Sequence, residues 1–324
     1  MRAVVCNELG PPSVLTIEER PDPTPGPGQV LIEVEACGVN FVDALFVAGE
    51  YQIKPPVPFV PGGEVAGTVT AVGEGVTGPR VGEWVLASIG LGGYASHVVC
   101  GAAQASRLPD ELDAARAAAF TQSYCTALFA LGRRAGVSDG EVVLVLGAGG
   151  GVGLAAIDVA VSFGARAIAV ASSDDKRAAA LAQGAEAAID PTTEDLKARA
   201  RELSGKEGVD VVIDPVGGDL AEPALRALGN FGRYCVIGFA AGSIPRLPAN
   251  QVLLRNRTVL GIDWGAWGMA DPAGNQALLG EGLSLVGAGR LHPVAPTTYP
   301  LEDVSRALED LQGRRITGKV VLVP

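Results

Sequence analysis

Short runs rich in valine and isoleucine, each bounded by glycine or proline, fill the first third of the chain: Met1–Asn7, Gln29–Cys37, Gly67–Val72 and Trp84–Leu86. Such runs predict the strands of a small all-β or barrel-like module. The stretch Asp22–Gly28, proline at every second place until it ends in glycine, reads as a turn or crossing loop. Near Ala114 the texture changes. Alanine- and leucine-rich helical text runs to about Arg134, and then apolar runs alternate with helical ones. Strands are expected at Glu141–Leu146, Arg166–Ala171, Ala187–Ile189, Val209–Asp214 and Arg233–Ile237. Helices are expected at Val152–Phe163, Asp174–Gln183, Glu194–Ser204 and Leu220–Leu228. Continuous Val/Ile runs separated by helices mean strands buried on both faces, hence a parallel, doubly wound sheet. Thr258–Ile262 fits as its sixth strand. Two helices (Gln276–Val286, Leu301–Leu311) and a last strand (Lys319–Val323) close the chain, and no solenoid-type repeat is visible.

Composition narrows this picture. At 324 residues, two domains are expected. Hydrophobic residues at 48% and charged residues at 19% fit a compact globular protein, and the 44 glycines fall at turns and strand ends, not in a period. The formal net charge of −11 comes without a basic cluster, which argues against nucleic acid or an anionic membrane as partner. The cysteines are Cys6, Cys37, Cys100, Cys125 and Cys235: odd in number, widely spaced, with no Cys-x-x-Cys pair. A disulfide framework is not expected, and a reducing compartment is. No apolar run reaches membrane-spanning length and the N-terminus carries no apolar signal core, so a cytoplasmic protein is expected.

The chemistry starts at Val143–Gly153, where a glycine-rich turn joins the first parallel strand to a helix. Glycines there let the backbone approach a pyrophosphate, whose charge a helix N-terminus stabilises. On a strict G-x-G-x-x-G template the places fall on Ala148, Gly150 and Gly153. A looser reading uses Gly147 and Gly149. Gly150, Gly151 and Val152 are the expected contacts. An NAD enzyme carries an acidic residue at the end of the second strand to accept from the ribose. Here that place is Ala171, followed by Ser172, Ser173, Lys176 and Arg177, which suit a 2′-phosphate and so NADPH. The alternative is that Lys176 and Arg177 are a solvated helix face. Gly238 and Phe239, just past the Arg233–Ile237 strand, join the expected cofactor-binding set.

Five ordered landmarks, Gly38–Asp43, Pro61–Gly67, Val81–Leu86, the glycine turn and Thr317–Val323, resemble the medium-chain dehydrogenase/reductase superfamily. Within it the chain is similar to the zinc-free NADPH:quinone oxidoreductase (zeta-crystallin-like) branch, end to end. The resemblance implies an α/β chain with a GroES-like β-rich catalytic domain (1–120 and 265–324) and a Rossmann doubly wound parallel sheet (121–264). It also implies a cofactor cleft between the domains and a homodimer through the sheet's edge strand, Thr258–Ile262.

The departures from the superfamily's alcohol dehydrogenases matter as much. Their catalytic zinc takes a Cys and a His from turns that here hold Asn40 and Gly63, neither a zinc ligand. The cysteine-rich structural zinc lobe is missing between Leu86 and Val99, and Val42 stands where an alcohol proton relay begins. No metal is expected. Without a Lewis acid the substrate must accept hydride readily, as quinones and α,β-unsaturated carbonyls do. By resemblance, Asn40 reaches the nicotinamide ribose, or is a plain turn residue. Tyr51 covers the nicotinamide and orients substrate or protonates product, or anchors a loop. Asp43 reads as a supporting carboxylate. Thr126 donates to the cofactor, or bonds its own helix. Lys319 reaches the phosphates, or is a surface charge. Trp264 and Trp267 line a cleft for flat quinones, or pack in the core or a subunit contact. The alternatives to quinone reduction are an enone or enoyl-thioester double-bond reductase, and a non-catalytic, crystallin-like NADPH-binding protein.

Overall fold

The computed structural model describes all 324 residues, which divide into two compact units: Met1–Gln122 with Pro293–Pro324, and Ser123–His292. The strands, in chain order, are β1 (Arg2–Cys6), β2 (Leu15–Glu19), β3 (Gln29–Val39), β4 (Glu64–Val72), β5 (Trp84–Ser88), β6 (His97–Gly101) and β7 (Ala105–Arg107). They continue as β8 (Val142–Leu146), β9 (Arg166–Val170), β10 (Ala187–Ile189), β11 (Val209–Asp214), β12 (Leu228–Val236), β13 (Thr258–Gly261), β14 (Thr297–Pro300) and β15 (Val320–Val323).

The first unit is built on a seven-stranded sheet of order β14-β15-β3-β4-β5-β7, with β6 paired to β3, and on a separate β1–β2 ladder. Its core runs along alternate positions of β3 (Val30, Ile32, Val34) and closes over Leu301, Val304 and Leu308 of the C-terminal tail. The return of the chain end is therefore part of this core. β15 pairs antiparallel to β3, Leu322 opposite Cys37, which brings Lys319 to the end of β3 where Asn40 follows.

The second unit holds six parallel strands in the order β10-β9-β8-β11-β12-β13. Counted within the unit this is 3-2-1-4-5-6, the Rossmann arrangement, with its switch point between β8 and β11. β8 is buried at every position, as a strand covered on both faces must be.

Three differences from the sequence expectation have physical causes. Residues 265–292, expected with the β-rich unit, belong to the second. There the helix Pro272–Gly287 buries Leu278, Leu279 and Leu283, Arg133 pairs with Glu281 at 2.5 Å, and Trp267 stacks on Phe129 at 4.7 Å. The expected long helix over 114–134 is interrupted. It forms a short α-helix, Ala114–Ala118, then π-type turns at Thr121–Cys125 and Phe129–Ala135, a local widening often found near functional sites. β12 begins at Leu228, not Arg233, because an irregular register carries the chain from the Val209–Leu228 pair to the Val211–Arg233 pair.

Candidate active site

In the second unit the candidate residues meet at the carboxyl edge of the sheet, around the β8–β11 switch point. Gly147 leaves β8 with φ +59°, a conformation that favours glycine. A Cβ at Gly153 would stand 2.4 Å from the Gly147 carbonyl oxygen, so the helix Gly151–Ser162 packs tightly on the turn only with glycine there. A Cβ at Gly149 would stand 2.4 Å from the Cβ of Lys176, so the lysine stem crosses the glycine turn. On the other side, a Cβ at Gly147 would meet Val216 at 2.7 Å, and one at Gly217 would meet the Phe239 ring at 2.9 Å. Lys176, the glycine turn, the Val216–Gly217 loop and Phe239 thus form one continuous rim.

Asp214, at the end of β11, organises that loop. It is buried, and its Oδ1 accepts from the backbone N–H of Val216 and of Gly217, each at 2.8 Å, while Tyr234 donates to Oδ2. Burial pushes the Tyr234 phenol well above its ordinary range, helped by the adjacent carboxylate, so it stays a donor. The loop is not among the residues expected from the sequence motifs. Its signal is Asp-Pro-Val-Gly-Gly directly after an apolar strand.

Ser172 and Ser173 are exposed at the end of β9. Arg177 is more constrained than expected: it pairs with Asp190 at 3.0 Å and Asp174 at 2.5 Å and donates to the Ala171 carbonyl at 2.8 Å. Thr126 is buried in the helical segment after the π-type turn. Nearby Ser123 has a buried hydroxyl with no hydrogen-bond partner, a residue the sequence did not single out. Trp264 departs from the expected substrate wall. It is buried and its indole N–H is spent on Asn275 Oδ1 at 2.9 Å, which is core packing. Trp267 is half-buried on Phe129.

In the first unit Asn40 caps the helix Phe41–Ala48 and lies in a buried polar network. Its backbone N–H donates to Asp43 Oδ2 at 2.7 Å, and Tyr94 donates to the same oxygen at 2.8 Å. Its side-chain Nδ2 donates to Glu64 Oε1 at 2.9 Å, and Lys319 Nζ donates to its Oδ1. Lys319 also pairs with Glu64 at 2.8 Å, the two side chains being 12% and 3% exposed. Lys319 is therefore not a plain surface charge: two of its three ammonium donors go to Asn40 and Glu64. Burial pushes Asp43 up to about 6, although the Asn40 N–H, the Tyr94 hydroxyl and the Lys319 charge act the other way. Tyr51 lies past the far end of the same helix, its ring edge-on to Phe46 at 4.8 Å. That eight-residue helix spans about 12 Å, so Asn40 and Tyr51 are held at its opposite ends.

Residues 26–110 match the alcohol dehydrogenase GroES-like domain and residues 151–277 the zinc-binding dehydrogenase family. The chain is 38% identical to quinone oxidoreductase-like protein 2 of Rattus norvegicus over 99% of this chain and 91% of that one. It is 34% identical to the quinone oxidoreductase of Homo sapiens over 100% of this chain and 98% of that one. The chain belongs to the medium-chain dehydrogenase/reductase superfamily, an oxidoreductase family. Among solved structures of that superfamily, the Escherichia coli quinone oxidoreductase complexed with NADPH superposes with a TM-score of 0.90 at 29% identity, each chain fully covered. A protein described as an NAD-dependent alcohol dehydrogenase superposes at 0.92 and 33%, again over both full chains.

Zinc and a dinucleotide can each be tested against the residues present. No three His, Cys, Asp or Glu side chains gather to hold a metal ion. Asn40 and Gly63 offer no thiolate or imidazole, and the Cys37 thiol donates to the Gly93 carbonyl and is pushed up to about 12 by burial. These residues do not fit a zinc ion. A dinucleotide fits. The Gly147–Gly150 turn leads directly into a twelve-residue helix, a Cβ at Gly150 would meet only the Gly147 carbonyl oxygen, and the Ser123 hydroxyl is a buried donor left over.

Proposed function

We propose that this chain is a zinc-independent, NADPH-dependent reductase that delivers hydride to quinones or similar conjugated carbonyls. The observation that carries the reading is the Asn40 network. The position that would supply a zinc thiolate is instead an amide engaged by Glu64 and Lys319. A substrate reduced here gets no Lewis acid and must spread the developing negative charge over its own conjugated oxygen. The human relative named quinone oxidoreductase, matched along 98% of its length, and the rat quinone oxidoreductase-like protein 2, along 91%, support the same reading.

When bound, NADPH supplies the hydride. The protein's part is to bind, orient and exclude water. The backbone N–H groups of Gly150, Gly151 and Val152 hold the pyrophosphate at the helix N-terminus. Ser172, Ser173 and Lys176 take the 2′-phosphate, with Arg177 beside them but already balanced by two carboxylates. Ser123, Thr126, Gly238 and Phe239 hold the nicotinamide half, and Asn40 donates to its ribose. Tyr51 orients the substrate. A homodimer forms through the outer edge of β13, which is paired on one side only, carries the exposed Val259 and follows the exposed Leu253 and Leu254.

The test is NADPH oxidation against 1,4-benzoquinone, 9,10-phenanthrenequinone, an alkenal and crotonyl-CoA, with NADH in parallel. Fast turnover with the quinones is expected. Preference for the alkenal or thioester would make the enzyme a double-bond reductase. Binding without turnover would make it a non-catalytic NADPH-binding protein, and preference for NADH with an alcohol product would side with the alcohol dehydrogenase neighbour.

A further inference from the structure

A carboxamide has two orientations of nearly the same shape, and a flip exchanges donor and acceptor. What surrounds Asn40 reads the two ends differently. Lys319 offers an ammonium, which only donates, and it faces Oδ1. Glu64 offers a carboxylate, which only accepts, and it faces Nδ2 at 2.9 Å. In the reversed orientation the amide hydrogens would point at an ammonium and the carbonyl at a carboxylate, losing two charge-assisted bonds.

The two charges are themselves fixed. Glu64 Oε1 is shared by Asn40 and Lys319, while Oε2 accepts the backbone N–H of Gln122 at 2.9 Å. Glu64 fits beside β3 only because residue 38 is glycine: a Cβ there would stand 2.4 Å from Glu64 Oε1 and 2.1 Å from the Ala118 carbonyl oxygen. A buried ion pair is poor evidence for stability, since apolar residues of the same volume often serve as well. Here it does something an apolar pair cannot do.

We propose that Glu64 and Lys319 act as a polarised clamp that holds the Asn40 carboxamide in one flip, so that its remaining Nδ2 hydrogen is presented to the cofactor or substrate as a donor. Both are positioning residues acting through Asn40. The inference rests on the reading that Asn40 contacts the dinucleotide or its substrate.

The experiment measures the NADPH dissociation constant by cofactor fluorescence, with kcat and KM for a quinone, in the full-length chain and in Lys319→Met, Lys319→Arg and Glu64→Gln. Lys319→Met is expected to weaken NADPH binding, or to lower kcat/KM, by about tenfold or more, the scale of one charge-assisted hydrogen bond. Lys319→Arg keeps a donor-only group facing Oδ1 and is expected to recover to within about threefold of the wild type. A loss caused only by a disturbed core would not be rescued in this way. Should Lys319→Met fail to fold, Glu64→Gln carries the test. It offers Asn40 both a donor and an acceptor, removes the discrimination at Nδ2 while Lys319 still faces Oδ1, and is expected to show a loss in the same direction. Wild-type-like binding and turnover in Lys319→Met or Glu64→Gln overturns the clamp, and so does equal impairment of Lys319→Met and Lys319→Arg. A wild-type chain that binds no NADPH overturns the functional reading on which the clamp rests. Binding by the wild type with unaffected variants removes the clamp alone.

Discussion

At the scale of single residues, buried charge sets the behaviour of the site. Asp43 is pushed from an ordinary 3.8 to about 6 by burial. The folded chain therefore holds this proton more tightly than the unfolded one. Its contribution to stability is full below the unfolded value of 3.8 and is lost as pH rises through about 6. Asp43→Asn keeps one oxygen able to accept from Asn40 and Tyr94 and removes the charge. The melting temperature of the variant minus that of the wild type should rise with pH across that window, and parallel melting curves from acid to neutral pH would rule the account out. Tyr94→Phe removes a donor from the buried carboxylate and should destabilise the chain by about 1–3 kcal/mol, read in a urea titration at neutral pH. The sequence revealed Asn40 and the missing zinc ligands because a motif position shows its residue type directly. It did not reveal the Asn40–Glu64–Lys319 contacts. Their members lie in three separate segments, and only the pairing of β15 with β3 brings Lys319 to Asn40. For the same reason Lys319 read as a surface or phosphate-binding lysine.

At the scale of elements, legibility follows burial. The strands β8, β9 and β11 are covered on both faces, so their runs of Val, Ile and Ala are unambiguous. The edge strands β10 and β13 were legible beside their helices, but β2 and β14 of the first unit were not. β2 is the polar Leu-Thr-Ile-Glu-Glu, and β14 ends in proline and pairs only with β15. The helix Phe41–Ala48 is a single short stretch whose start is set by Asn40 and Asp43, a capping pattern easily taken for a loop motif. The glycine turn was legible as a motif, and packing explains it. Gly153→Ala must push the helix off Gly147 and should cost about 1–3 kcal/mol of stability. It should also weaken NADPH binding, checked by a urea midpoint and a fluorescence titration on the same sample. An unchanged midpoint would mean that the turn relaxes freely.

At the scale of the whole molecule, no helix is long and apolar enough to cross a membrane. The exposed apolar residues beside β13 mark the edge where a second copy is expected. Light scattering should give a dimer for the wild type and a monomer for Val259→Arg, whereas a monomeric wild type would refute the edge-strand assembly. The alternation of strands and helices made the two-part architecture legible, but not the side on which residues 265–292 fall. That depends on which core accepts the helix Pro272–Gly287, and its leucines carry no label for either. The central claim concerns chemistry without a metal, and one measurement addresses it most directly: steady-state reduction of 9,10-phenanthrenequinone by NADPH, using protein dialysed against a chelator and analysed for metal content. The account predicts undiminished turnover with no stoichiometric zinc, and little turnover when NADH replaces NADPH. Activity that is lost on chelation and restored by zinc would contradict it.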